Sequence, residues 1–141
     1  MRRLVAFLLT AAALEAPSGA QPRPPVPTIS PIDALRAEFA AAAGGNIVYF
    51  GLGASQLSLQ ARTTLAAQAM WIRQHSEVSV RIEGHGDAND TRDHALAMGA
   101  KRAQAVRDYL MMLDVPSAQV SVMSWGKERP GAGRAMTMLA N

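Results

Sequence analysis

The chain has no cysteine among its 141 residues, and aromatic side chains make up only 5% of it. Without cysteine the fold cannot be cross-linked by disulfides, so the packing of its core must hold it together. The 14 basic and 11 acidic residues are interspersed, and no run of basic residues occurs. A nucleic-acid-binding surface needs clustered positive charge, and aromatic side chains that stack on bases strengthen it. We therefore expect no nucleic-acid partner.

Long apolar runs are also missing, except for one at the N-terminus. Two arginines precede residues 4–14, which are apolar apart from one threonine. This run is too short to cross the hydrocarbon core of a bilayer, which is about 30 Å thick. Small residues at positions 18 and 20 then suit cleavage by a signal peptidase. The pattern predicts a secretory signal peptide over residues 1–20 and a mature chain with no transmembrane segment.

The region after the predicted cleavage site divides into a linker and a short helix. Five prolines fall within residues 21–31, a composition typical of an extended, semi-rigid linker. Ser30 can cap a helix that begins with a proline, and glycines at positions 44 and 45 can end it. We predict an alanine-rich, loosely docked helical lead-in over residues 32–45 and the main domain over residues 46–141.

Within the main domain, the spacing of apolar residues predicts four strands and two helices. Alternation of apolar and polar residues indicates the strands, and three- and four-residue spacing indicates the helices. The strands are predicted at 46–50, 78–82, 120–124 and 135–139, and the helices at 57–75 and along the stripe Leu96, Gly99, Ala103, Val106, Leu110 and Leu113. The β-α-β-α-β-β order predicts an α/β (α+β) sandwich with two helices on one face of the sheet. The sheet should be mixed, because the last connection is too short for a crossover helix.

An acid in a glycine-rich turn and an arginine on the following helix form the most informative pair. Gly84-His85-Gly86-Asp87 follows a predicted strand, and Arg102 comes fifteen residues after the acid. If the two side chains lie on one rim of a crevice, they can grip a zwitterion. The carboxylate would take an ammonium, and the planar guanidinium would take a carboxylate through two parallel hydrogen bonds. Spacing alone favours an ordinary ion pair that ties the loop to the helix.

The segment 84–103, together with Trp125-Gly126-Lys127-Glu128-Arg129-Pro130, resembles the signature of the OmpA-like peptidoglycan-binding domain. Within that family it is similar to the branch of peptidoglycan-associated lipoproteins. The resemblance implies the same fold and a non-catalytic, cell-wall-binding role in the bacterial periplasm, near the outer membrane. It also implies that Asp87 and Arg102 hold the diaminopimelate of the peptidoglycan stem peptide, with backbone amides of the loop completing the site.

Several positions depart from the family pattern. His85 matches a family histidine, but Ala95 replaces an asparagine and so removes a side-chain amide from the expected pocket rim. Met98 replaces a leucine, a mild change. The chain also lacks the cysteine that a lipoprotein signal would acylate. These departures leave open an alternative, in which the scaffold is kept but binds another envelope protein instead of the wall.

The sequence carries no pattern of a catalytic or metal site. No serine lies in a Gly-x-Ser-x-Gly elbow, and no nucleophile is placed beside a base. The three histidines lack metal-ligand spacing, so we expect the ring of His85 to hydrogen-bond within its loop. We therefore predict no enzyme activity, no cofactor and no metal. The predicted ligand-binding residues are Asp87, Arg102, His85, Ala95 and Met98.

Overall fold

Helices and strands follow one another in the predicted order in the computed structural model, which describes residue 12 and residues 19–140. The predicted signal peptide lies almost entirely outside the described residues. Residues 21–30 have no regular secondary structure. Within the described part of the chain, no helix has the length and apolar character that a membrane crossing requires. The elements are α1 (Pro31–Ala43), β1 (Ile47–Tyr49), α2 (Leu59–Gln74), β2 (Ser79–His85), α3 (Arg92–Met112), a 3₁₀ turn (Ser117–Gln119), β3 (Val120–Gly126) and β4 (Arg134–Ala140).

Helix α1 docks more firmly than its alanine-rich sequence suggests. Ser30 caps its first turn, and Gly44 ends it with a left-handed φ of 69°. Phe39 is buried and packs edge-on against Trp71 of α2, with their ring centroids 5.1 Å apart. The indole Nε1 of Trp71 donates a hydrogen bond to Glu38 (3.1 Å). One aromatic contact and one hydrogen bond therefore hold α1 against α2. Alanine side chains could make neither of these contacts.

The four strands form one mixed sheet in the order β1-β4-β2-β3. Strands β2 and β3 run parallel, as the helical crossover between them requires. Strand β4 lies antiparallel between β1 and β2, because it follows β3 through a short loop. The prediction of a mixed sheet with α2 and α3 on one face is confirmed.

The core lies between these two helices and one face of the sheet. Val80 and Ile82 of β2 and Leu139 of β4 point into it and are buried. A buried hydrogen bond also crosses it, from the hydroxyl of Thr137 to the side-chain oxygen of Gln68 on α2 (2.6 Å). Because both polar groups are satisfied by each other, their burial does not carry the cost of an unpaired group.

Two glycines allow α3 to cross β2 at very short range. A Cβ atom at Gly84 would lie 1.8 Å from the carbonyl oxygen of Gly99. This contact determines which side of α3 faces the sheet. The predicted stripe was wrong at Leu96, which is 50% exposed, whereas Ala95 and Arg102 are buried. The residues of α3 that face β2 are those in line with Gly99, and Leu96 lies next to this line.

Strand β2 continues beyond its predicted end. The sequence indicates a turn from Gly84 onward, but Gly84 and His85 pair with Ala135 and Arg134 of β4. Gly84 is therefore required for a close approach between backbones and not for a turn.

Substitution of Gly84 by alanine should test this packing. We expect Gly84→Ala to lower the free energy of unfolding by at least about 2 kcal/mol, because the added methyl group would meet helix backbone that cannot move aside. Urea unfolding followed by circular dichroism measures the change.

Gly51→Ala is the matched control. The added Cβ atom would lie 3.8 Å from that of Ala54, an ordinary contact. We expect this change to shift stability by less than about 1 kcal/mol. Equal stability of Gly84→Ala and the wild type would contradict the close approach.

Candidate ligand-binding site

The guanidinium of Arg102 is the most completely buried charge in the described part of the chain, with 0% of the residue exposed. Its Nε donates to the carbonyl of Ala54 (2.8 Å), its Nη1 to that of His85 (2.9 Å) and its Nη2 to that of Gly51 (3.0 Å). The Phe50 ring lies beside it, with the guanidinium carbon 5.4 Å from the ring centroid. One side chain of α3 therefore ties the end of β2 to the loop that follows β1.

The carboxylate of Asp87 completes the surroundings of this guanidinium. Its Oδ1 lies 3.0 Å from Nη2 of Arg102, and its Oδ2 accepts a hydrogen bond from the backbone N–H of Gly53 (2.8 Å). Among the described residues, Oδ1 has no aligned hydrogen-bond donor, so its contact with Arg102 is electrostatic. The Asp87 side chain keeps 12% of its surface exposed, whereas that of Arg102 has none.

Gly133 lies directly over the pair. A Cβ atom at this position would lie 2.3 Å from Nη1 of Arg102 and 2.6 Å from Oδ1 of Asp87. The two charges are therefore in contact and covered, and they do not face each other across a crevice as the sequence suggested. A ligand could reach Arg102 only if this backbone segment moved.

An open cavity of about 250 Å³ lies beside the pair. Among the described residues, Asp87 is the one charged residue in its wall, and Arg102 is not part of the wall. Leu52, which is 90% exposed, forms part of the cavity rim. The other lining residues are Phe50, Ala88, Asn89, Gly131, Ala132 and Gly133. This arrangement suits a ligand with a positively charged end and a short apolar stem.

A larger and more open groove, about 730 Å³, runs between α2 and α3. Its charged residues are Arg62 and Asp108, and Asp108 is exposed. We place the candidate site at the smaller cavity, because a carboxylate that is mostly removed from water binds an ammonium more strongly than an exposed one.

Two of the predicted site residues lie in the packing under the loop. Ala95 is buried against Gly86, where a Cβ atom would lie 2.4 Å from the carbonyl oxygen of Ala95. Met98 is also buried on the inner side of α3. Neither residue lines the cavity beside Asp87. They share the buried side of α3 with Arg102, and the family resemblance had placed them in the predicted site.

The backbone carbonyl and the ring of His85 lie in different surroundings. Its carbonyl binds Arg102, but its ring is buried on the face away from the helices, and neither ring nitrogen has a hydrogen-bond partner among the described residues. Burial, together with the nearby charges of Arg134 and Arg129, lowers the pKa of His85 to about 4, and the charge of Glu83 opposes this shift. The ring does not make the predicted hydrogen bond to the loop.

The turn between Asp87 and α3 is held by its own side chains. Thr91 caps the helix by accepting a hydrogen bond from the N–H of His94. The ring of His94 also contacts the carboxylate of Asp90, and this hydrogen bond lowers the pKa of Asp90. Lys127 donates a hydrogen bond to the carbonyl of Asp90 (2.8 Å). The charge of Asp90 therefore has a local partner.

Sequence reasoning missed most of the cavity wall. Phe50 and Leu52 follow β1, and residues 131–133 precede β4, so only the folded sheet brings them beside Asp87. One signal was available in Gly131-Ala132-Gly133. Two glycines separated by a small residue, just before a strand, indicate a backbone that approaches another group closely.

Removal of the buried guanidinium should destabilise the fold strongly. We expect Arg102→Ala to lower the free energy of unfolding by about 3–5 kcal/mol, because it removes a hydrogen-bond donor from three carbonyls and leaves the shielded Asp87 carboxylate without its neighbouring positive charge. Urea unfolding measures the loss. Arg92→Ala is the control, since the Arg92 side chain is 80% exposed, and it should cost less than about 1 kcal/mol. A loss below 1 kcal/mol for Arg102→Ala would contradict this role.

The buried ring of His85 should make stability depend on pH. The unfolded chain binds a proton at His85 near pH 6.5, whereas the folded chain does so only near pH 4. Stability is therefore fully present above pH 6.5, and up to about 3 kcal/mol of it is lost as the pH falls towards 4. Unfolding measured at several pH values should show a shallower slope for His85→Gln than for the wild type. Identical slopes for His85→Gln and the wild type would refute the assignment.

The sequence pattern of the OmpA family matches residues 49–137 of this chain. The peptidoglycan-associated lipoprotein of Mesorhizobium japonicum is 42% identical over 88 residues, which are 62% of this chain and 52% of that protein. The lipoprotein of the same name from Brucella melitensis is 40% identical over 88 residues, with the same coverage. The chain spans about half the length of the curated relatives it matches.

Solved structures show the same architecture. The peptidoglycan-associated lipoprotein from Burkholderia pseudomallei superposes with a TM-score of 0.66 at 30% identity, covering 69% of this chain and 92% of that structure. The C-terminal domain of Helicobacter pylori MotB superposes with a TM-score of 0.62 at 17% identity, covering 68% of this chain and 84% of that domain. At that identity MotB supports the fold alone. On the sequence match and the Burkholderia structure, the chain belongs to the OmpA family.

Proposed function

We propose that this chain is a non-catalytic peptidoglycan-binding module that recognises the diaminopimelate of the stem peptide. The observation that carries the proposal is the placement of Asp87, a largely shielded carboxylate in the wall of a small cavity in an OmpA-family domain. Relatives whose names associate them with peptidoglycan support it. In this role the protein works in the periplasm, at the cell wall and near the outer membrane.

The cavity suits the chemistry of diaminopimelate. This residue ends in an amino acid head group, with an ammonium and a carboxylate on one carbon, and a short methylene chain joins it to the peptide. Asp87 takes the ammonium through a charge-assisted contact. Phe50 and Leu52 pack on the methylene chain. Backbone N–H groups of the loop 84–91 complete the site.

Arg102 takes the ligand carboxylate after a local movement. Its guanidinium lies directly behind Asp87, and the segment 131–133 covers both residues. Gly131 and Gly133 have no side chains and Ala132 has only a methyl group, so the segment can move without removing a large side chain from the core. A planar guanidinium can then form two parallel hydrogen bonds with the carboxylate.

One observation favours a second function, that of a protein-interaction module which keeps the scaffold but not the wall ligand. The Asp87–Arg102 pair is covered by Gly133, and Ala95 supplies no side-chain amide. If the segment 131–133 does not move, Arg102 acts only as a structural residue. The partner would then be another envelope protein.

Co-sedimentation with purified peptidoglycan sacculi tests the first function. We expect the wild type to pellet with sacculi and Asp87→Asn to bind about tenfold more weakly or worse, because the ammonium loses a charged partner of about 1.5–3 kcal/mol. Soluble stem peptides that end in diaminopimelate should compete, and stem peptides with lysine, which lacks the second carboxylate, should compete less well.

Asp108→Asn is the control, because it removes an exposed carboxylate away from the cavity. If the wild type stays in the supernatant, the result favours the interaction-module function over wall binding. If Asp87→Asn binds sacculi as well as the wild type does, the protein binds peptidoglycan but not through the cavity beside Asp87. If both stem peptides compete equally, Arg102 does not contact the ligand.

A further inference from the structure

The second face of the sheet has no helix packed on it among the described residues. The strand register shows which side chains share this face, because residues directly opposite each other in neighbouring strands point to the same side. Met136 of β4 stands between Ile47 of β1 and Glu83 of β2, and Met123 of β3 follows Glu83 in the same row. Val48 and its partner Ala135 point to the core instead.

This surface, which we call the open face, carries a group of apolar side chains on both sides of β2. They come from all strands except β2, and Tyr49 is the most exposed of them, at 61%. The others are half-buried. Methionine adapts its shape to different partners, and methionine, tyrosine and tryptophan are enriched at protein interfaces. The group consists of Ile47, Tyr49, Met123, Met136 and Met138.

The charges on the open face are mostly positive. Glu83 is its one acidic residue in the described chain; it is buried, 2.7 Å from Arg81 and 3.6 Å from Arg129. Arg134 stands on the same face, opposite His85. Arg81 and Arg129 pair with Glu83, and Arg134 lies in the next row, so the three guanidinium groups exceed the one carboxylate by two positive charges on this face.

Two of these arginines are held in place before any partner binds. The guanidinium of Arg129 lies 3.8 Å from the centroid of the Trp125 ring. Arg134 donates hydrogen bonds to the carbonyls of Ala132 (3.0 Å) and Pro130 (3.3 Å). A guanidinium that is already oriented loses less conformational entropy when it binds a carboxylate.

We propose that the open face binds an acidic protein segment that also carries apolar side chains. Carboxylates of the partner pair with the excess arginines, and its apolar residues cover the methionines and Tyr49. The charge determines the type of occupant, because a second copy of this chain would bring another positive face against the first. This surface lies on the side of the sheet opposite the helices, and the proposal does not depend on wall binding.

Methionine methyl NMR on the full chain can test the proposal. The probe is a short synthetic peptide that alternates glutamate with phenylalanine, compared with one in which lysine replaces each glutamate. We expect the acidic peptide to shift the methyl signals of Met123, Met136 and Met138, and added salt to weaken the effect. The signals of Met70, Met98, Met111 and Met112, which lie on the helices, serve as internal controls and should not move.

A matched pair of variants checks the charge requirement. Arg129→Gln leaves Glu83 paired with Arg81, so the fold should be retained, and we expect binding of the acidic peptide to weaken about fivefold or more. Arg62→Gln on α2 is the control and should bind as the wild type does. Circular dichroism confirms that both variants are folded.

Several outcomes would overturn the proposal. One is equal binding of the lysine peptide, and another is unchanged binding by Arg129→Gln. Shifts confined to Met111 and Met112 would place the contact on the wrong side of the molecule. Shifts that depend on protein concentration without peptide would identify a second copy as the occupant. Binding to phosphatidylglycerol vesicles but not to the acidic peptide would identify a membrane surface.

Discussion

A positive charge fully buried from solvent, the guanidinium of Arg102, is the constraint on which this end of the molecule depends. Burial of an ion is costly unless every part of it finds a partner. Three backbone carbonyls and the carboxylate of Asp87 meet that need here. They come from the loop after β1, the end of β2 and the turn before α3. Satisfying one ion therefore holds the loop after β1 against the segment 85–87, although these two parts of the chain are far apart in sequence.

The close approach of α3 to β2 makes this arrangement possible. Contact between Gly84 and Gly99 brings α3 very close to β2. Arg102 lies one turn further along the helix, so its guanidinium reaches the carbonyl of His85 at the end of β2. Helices α2 and α3 pack on one side of the sheet, and in the described chain no helix packs on the other side. The segment between β3 and β4 joins the two sides, because Gly133 covers the Asp87–Arg102 pair and Arg129 and Arg134 flank the open face.

Local sequence patterns predicted most of the elements. Ser30 and Gly44 bound α1 as expected, because capping depends on neighbouring residues in the chain. The prediction was wrong at Leu96, since the buried face of α3 is set by a contact with a residue of another element, Gly84. Sequence spacing also predicted that Asp87 and Arg102 lie close together, and their charged atoms are 3.0 Å apart. It did not show the cover over them, which comes from Gly133, thirty-one residues beyond Arg102 in the sequence.

The sequence by itself determined the order of strands and helices, their caps and the pairing of an acid with an arginine, because each of these depends on short-range spacing and residue type. Only the tertiary structure decided that the guanidinium is sealed and the carboxylate is reachable. It also decided that the ring of His85 faces away from the site that its carbonyl supports. Those outcomes depend on which strands become neighbours, and sheet order is set by packing across the whole domain.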